Sequence, residues 1–260
     1  MSRGTSRPGP GQPSRDDVQH WWDAALNLFY PPICCGCGRK TARPEFCPRC
    51  RHDIDMPCSP LCQICGIPFR TQGGADHTCG RCRARHPRFE RARACAVYDA
   101  ADDVAHPLKA VLQRYKYSRD VSLAPALAQL IFERNPLPVT AYDVIMPVPL
   151  HLARLRWRGF NQAQYLAHHL ARAGRVPMDA LSLERARPTR PQVQLNESER
   201  RRNVAGAFRV ARPQAVARRR ILLIDDVYTT GATADECSRV LRRAGALSID
   251  VLVLARAVMH

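Results

Sequence analysis

Asp225 and Asp226 stand side by side after an apolar run at 221–224, and a small, hydroxyl-rich turn follows: Thr229, Thr230, Gly231, Ala232 and Thr233. The continuous apolar run predicts a strand buried on both faces of a parallel sheet. A helical pattern then covers 234–244, with Gly245 placed as its C-terminal cap. At a helix N-terminus the backbone N–H groups lack partners and the dipole favours an anion, so the turn is a natural phosphate cradle. The three threonines add hydroxyl donors, and Gly231 permits close backbone approach to a ligand. Two carboxylates would repel the phosphate itself. Beside it, they suit sugar hydroxyls or a divalent cation.

A second chemistry is written in cysteine. Ten of the twelve cysteines precede residue 83, and eight form C-x-x-C pairs: Cys34/Cys37, Cys47/Cys50, Cys62/Cys65 and Cys79/Cys82. Each pair can present two thiolates to one metal, and two pairs complete a tetrahedral four-sulfur site. Two structural zinc ions are expected. Glycines at 36, 38, 66 and 80 permit the tight turns. Disulfides are the alternative, disfavoured where thiols are kept reduced. Cys35 competes with Cys34 in the sequence CCGC; Cys34 keeps the two-residue spacing to Cys37. Cys58 is left over, as an alternative ligand or a free thiol. The segment holds little apolar material, so metal must supply much of its folding energy.

These sites need elements to carry them. A chain of 260 residues with 45% hydrophobic content can hold one good-sized core and a small module. Residues 1–17 are rich in Pro, Gly and charge and read as a disordered tail. Residues 30–90 read as the cysteine module and 95–260 as an α/β domain. Strands are predicted at 93–98, 142–149, 221–224 and 249–257. Helices are predicted at 104–117, 123–135 and 161–173. Alternating strands and helices imply a parallel sheet whose ligands bind beyond the carboxyl ends of the strands. That places 147–159 and 225–233 on one rim. No run approaches the roughly 18–20 apolar residues needed to span a bilayer, and no secretory signal is visible, so a cytoplasmic protein is expected.

The net charge is +17, carried by 37 Arg and 3 Lys. Residues 151–220 hold 16 Arg against four acids, a balance of +12. Such density suits polyanions: phosphates, pyrophosphate or nucleic acid. Arg154, Arg156 and Arg158 alternate, and on an extended segment would point to one side. Tyr117, Trp157 and Phe160 could stack on bases, although at least two are expected in the core.

The 221–236 segment resembles the phosphoribosyl pyrophosphate (PRPP) motif of type I phosphoribosyltransferases. The resemblance implies that the turn holds the 5′-phosphate of PRPP, bound with Mg²⁺, and that Asp225 and Asp226 hold the ribose hydroxyls. PVPLHLARLRWRGFNQ at 147–162, RARPTRPQVQLNESERRRNVAGAF at 185–208 and YKYSRD at 115–120 are similar to motifs of the competence protein F (ComF/GntX-like) family. The cysteine module is similar to that family's double zinc ribbon. Together these motifs imply a type I phosphoribosyltransferase-like domain behind the zinc ribbon, with Val148, Pro149 and Leu150 as a pyrophosphate loop, Arg158 beside it, and 185–202 as a mobile hood. They imply a role in competence, the import of single-stranded DNA, with the DNA itself or a DNA-translocating helicase as partner. The alternative is an active phosphoribosyltransferase of nucleotide metabolism, whose acceptor no residue identifies.

Overall fold

The computed structural model describes residues 31–71, 73–99, 106–190 and 196–258. The expected tail at 1–17 lies outside them. Among the described residues six strands are present: β1 (Arg91–Asp99), β2 (Val144–Pro147), β3 (Leu183–Arg185), β4 (Phe208–Val210), β5 (Arg220–Tyr228) and β6 (Ser248–Val258). Four of them form a sheet in the order β1-β6-β5-β2. Every neighbouring pair is parallel.

The expectation of a doubly buried parallel sheet holds in detail. Side chains alternate faces along a strand, and both faces of β5 find a core. Leu222 and Ile224 join one apolar cluster, with Leu252, Leu254 and Ile145. Ile221 and Leu223 join the other, with Val251, Val253 and Met146. The first face is covered by α3 (Pro107–Tyr117), α4 (Ala124–Arg134) and α6 (Gln162–Gly174). The second is covered by α9 (Ala232–Arg243), by Val216 of the short α8 (Pro213–Val216) and by the antiparallel β3–β4 pair, which nothing in the sequence announced.

Local chemistry sets the helix ends. Asn161 caps α6 by accepting from the Ala163 N–H at 3.1 Å. A reciprocal capping box opens α7 (Glu197–Val204): Asn196 accepts from Glu199 N, and Glu199 accepts from Asn196 N. Gly245, at φ +89°, closes α9 as expected.

The cysteine segment contributes two short helices, α1 (Pro48–His52) and α2 (Gly80–Arg85), one in each half. It leans on the α/β body from both sides. Cys34, Cys35, Phe46, Cys47, Cys50 and Ile54 belong to the first cluster, while Cys62, Cys65, Cys82 and Phe89 belong to the second. Its sparse apolar residues therefore pack into the sheet's two cores instead of building their own.

Four expectations need correction. β5 does not stop at Ile224 but runs through both acids to Tyr228, and α9 starts at Ala232, two residues early. The alternating arginines are not on an extended segment. They lie on a helix, α5 (Leu152–Arg158), capped by His151 and closed by Gly159 at φ +85°. On a helix, i and i+4 share a face and i+2 does not, so Arg156 points away from its two companions. Of the three aromatics, Phe160 packs on the core, whereas Tyr117 and Trp157 are 51% and 50% exposed.

Candidate functional site

The cysteines assemble as the spacing predicts. Cys34, Cys37, Cys47 and Cys50 form one cluster and Cys62, Cys65, Cys79 and Cys82 another, with all four sulfurs of each within 4.8 Å of one another. Tetrahedral zinc with bonds of about 2.3 Å separates its sulfurs by about 3.8 Å. The Cys37–Cys47 and Cys65–Cys79 sulfurs lie 3.8 and 3.9 Å apart, so the donor sets fit the metal. Backbone N–H groups point at the sulfurs: Cys47 N reaches Cys34 Sγ at 3.2 Å, and Cys65 N and Cys79 N each reach Cys62 Sγ at 3.4 Å. Burial pushes the Cys34 and Cys62 thiols up, but these amide donors prevail and bring both down to about 6. Thiolate, the form a metal needs, is thus favoured at one cysteine of each set. Cys35 is buried outside the cluster, and its carbonyl accepts from Arg114 at 3.2 Å. Cys58 is exposed and bonds to the Met56 carbonyl. Four sulfurs leave no open position, which marks both sites as structural.

A cleft of about 510 Å³ opens at the carboxyl ends of β2 and β5. Its lining includes Asp225, Asp226, Thr229, Gly231, Ala232 and Thr233 on one side and Val148, Leu150, Arg154 and Arg158 on another. Pro149 and Thr230 lie outside the lining. The Thr230 hydroxyl is turned inward, where it accepts from Ala232 N at 3.4 Å. The Val148 carbonyl accepts from Asn161 Nδ2 at 3.1 Å, tying the loop after β2 to the start of α6. Arg154 and Arg158 line the cleft as an i, i+4 pair, and Arg156 does not.

The acids are the electrostatic centre. Lys116 Nζ, at the end of α3, sits 2.9 Å from Asp226 Oδ1. Asp225 Oδ1 accepts from the Asp226 N–H at 2.9 Å. Burial and then the neighbouring Asp226 charge push the Asp225 carboxyl up to about 7, against the pull of that N–H, Lys116 and Arg185. One proton is therefore poised to leave this pair near neutral pH if a cation or a hydroxyl donor arrives. Across the cleft the charge is positive. Arg185, at the end of β3, is 8% exposed, and among the described residues the Nε atoms of Arg185 and Arg158 are buried without a hydrogen-bond partner. A cleft with a carboxylate pair at one side and orphaned guanidinium donors at the other is built for a ligand that carries both hydroxyls and anionic groups.

Gly231 serves a neighbour as well as any ligand. A Cβ there would lie 2.1 Å from the Tyr228 hydroxyl, and the residue sits at φ +79°. The turn rests directly on that phenol. Sequence reasoning gave no individual role to Lys116 or Arg185, although both lie in the quoted motifs at 115–120 and 185–208, and it missed Tyr228.

The parallel sheet, the acid pair before a threonine turn and the two four-cysteine sets define a zinc-ribbon protein with a parallel-sheet α/β domain. The double zinc ribbon family model matches residues 25–98. The DNA utilization protein YhgH of Escherichia coli O157:H7 is 34% identical over 82% of this chain and 97% of its own length. Competence protein F of Haemophilus influenzae is 31% identical over 89% of this chain and all of its own. The chain belongs to this competence protein F family. A purine phosphoribosyltransferase structure from Pyrococcus horikoshii, 17% identical, covers 54% of this chain and 75% of that one with a TM-score of 0.27.

Proposed function

We propose that the cleft binds PRPP with Mg²⁺ and that the protein acts in the uptake or use of single-stranded DNA. The observation that carries the first half is the strand, acid pair, threonine turn and helix N-terminus around one cleft with Arg154, Arg158 and Arg185 opposite. The N–H groups and hydroxyls of Thr229 and Thr233 receive the 5′-phosphate at the positive end of α9. Asp225 and Asp226 accept from the ribose 2′- and 3′-hydroxyls. Lys116, 2.9 Å from Asp226 Oδ1, holds that side chain in place. The pyrophosphate faces the guanidinium groups, whose planar forks suit bidentate phosphate contacts. Mg²⁺ would offset negative charge between pyrophosphate and acids. The two zinc ions hold the ribbon and do no chemistry. Turnover by an active phosphoribosyltransferase is the alternative use of the same cleft. PRPP with Mg²⁺ should raise the melting temperature by mass action on the folded state; an unchanged melt at millimolar PRPP would refute the binding.

The DNA half has its own support. The family's members are named for DNA utilization and competence. Beside the cleft, exposed Trp157 carries Arg119 over its ring at 5.3 Å, and Tyr117 carries Arg158 at 5.8 Å. Exposed aromatics interleaved with cations are the elements of a single-strand platform. Five backbone-engaged arginines would give a log K against log salt slope of about −3.5, at about −0.7 per phosphate. Charge reversal at Arg200, Arg201 and Arg202 should flatten that slope equally for all sequences. Binding without salt dependence would remove the arginines from the interface.

A further inference from the structure

Arg256 is 3% exposed on β6 and forms no salt bridge to a carboxylate among the described residues. Its guanidinium donates to the Cys65 carbonyl at 2.5 Å and approaches Cys65 Sγ at 3.7 Å. On its other side it lies 4.5 Å from the centre of the Tyr228 ring, its register partner on β5. Phe89, next to the cysteine segment, meets the same ring edge-on at 6.4 Å. The Tyr228 hydroxyl in turn fills the space under Gly231. A continuous chain of contacts thus runs from the second four-cysteine site, through Arg256 and Tyr228, to the turn at 229–233.

A buried guanidinium needs a counter-charge. Zinc on four thiolates carries a net charge of −2 and supplies one beside Cys65. A second link runs the same way: Arg81 lies 3.6 Å from Glu197, and Arg85 pairs with the same carboxylate. Both arginines belong to α2, which carries Cys82, and Glu197 opens α7, which carries the cleft residue Arg200.

We propose that Arg256 is a positioning residue that couples the second four-cysteine site to the anion-binding turn, so that metal on the ribbon sets the geometry of the cleft. Hydrogen exchange on the zinc-loaded full chain tests this without any ligand. Arg256→Met should speed exchange of the 229–233 amides by about 5- to 150-fold, the ordinary range of coupling between sites. Amides of 163–171, on the opposite face of the sheet, should not change. Arg256→Lys keeps the charge without the planar stack and should fall between; it also stands in should the Met variant fail to fold. Stripping zinc from the wild type should reproduce the same local change. Exchange at 229–233 within twofold of wild type in both variants would overturn the coupling. A second arm rests on the PRPP reading: by reciprocity, PRPP with Mg²⁺ should slow chelator-driven release of zinc from the wild type and not from Arg256→Met. A wild type that binds no PRPP would sink that reading and leave the exchange arm to decide the coupling.

Discussion

Replacing Asp225 by Asn should stabilise the ligand-free protein at pH 8 much more than at pH 5. The substitution keeps the shape and the oxygen that accepts from Asp226 N, and removes only the charge. The folded-state carboxyl titrates at about 7 against 3.8 for the free group. With the folded value raised, the native state holds its proton more tightly, and the associated stability is lost as pH climbs from about 4 through 7. Each pKa unit is worth about 1.4 kcal/mol, so between pH 5 and pH 8 the wild type should lose about 2.5 kcal/mol that Asp225→Asn does not. In a domain of this size that is about 5–10 °C of melting temperature. The assay is four melts, two proteins at two pH values, all zinc-loaded. Other titrating groups, cysteines included, are common to both proteins and cancel in the double difference. A double difference near zero, or one of opposite sign, would refute the desolvated, pair-repelled Asp225. The same variant should bind PRPP with Mg²⁺ more weakly, the usual exchange of stability for a functional charge.

Elemental analysis should find two zinc ions per chain, falling to about one in Cys62→Ser; a metal-free native protein would contradict both four-sulfur sites. Gly231→Ala should cost about 1–3 kcal/mol in urea unfolding, because it adds left-handed strain and a Cβ on the Tyr228 hydroxyl; a neutral effect would mean the turn is free of that phenol. Trp157→Ala should weaken single-stranded DNA binding by about 1–3 kcal/mol with an unchanged salt slope; a changed slope with unchanged affinity at low salt would mean that the ring does not stack.

The sequence made the cores legible where chemistry is local. Runs such as 221–224 and 251–255 are apolar on both faces because the sheet is covered on both sides, and the cysteine pairs met because a C-x-x-C turn has one simple geometry. Legibility failed where partners lie far apart. Nothing near Lys116 says that Asp226, 110 positions later, will face it. Nothing near Arg256 points to Cys65. The arginines at 154, 156 and 158 misled because alternation was read as extension, although Gly159 at a helix-closing position was in plain view. The strand was expected to end with its apolar run at Ile224, just before Asp225 and Asp226. The strand carries them because its last residues emerge into the cleft.

Calorimetric titration of PRPP with Mg²⁺ into the zinc-loaded chain, beside Asp225→Ala/Asp226→Ala, tests the cleft most directly. Saturable one-to-one binding to the wild type, absent from the double variant while both retain two zinc ions and a cooperative melt, is the expected result. Equal binding to both proteins would place the ligand elsewhere, and no binding to either would contradict the phosphoribosyl site altogether.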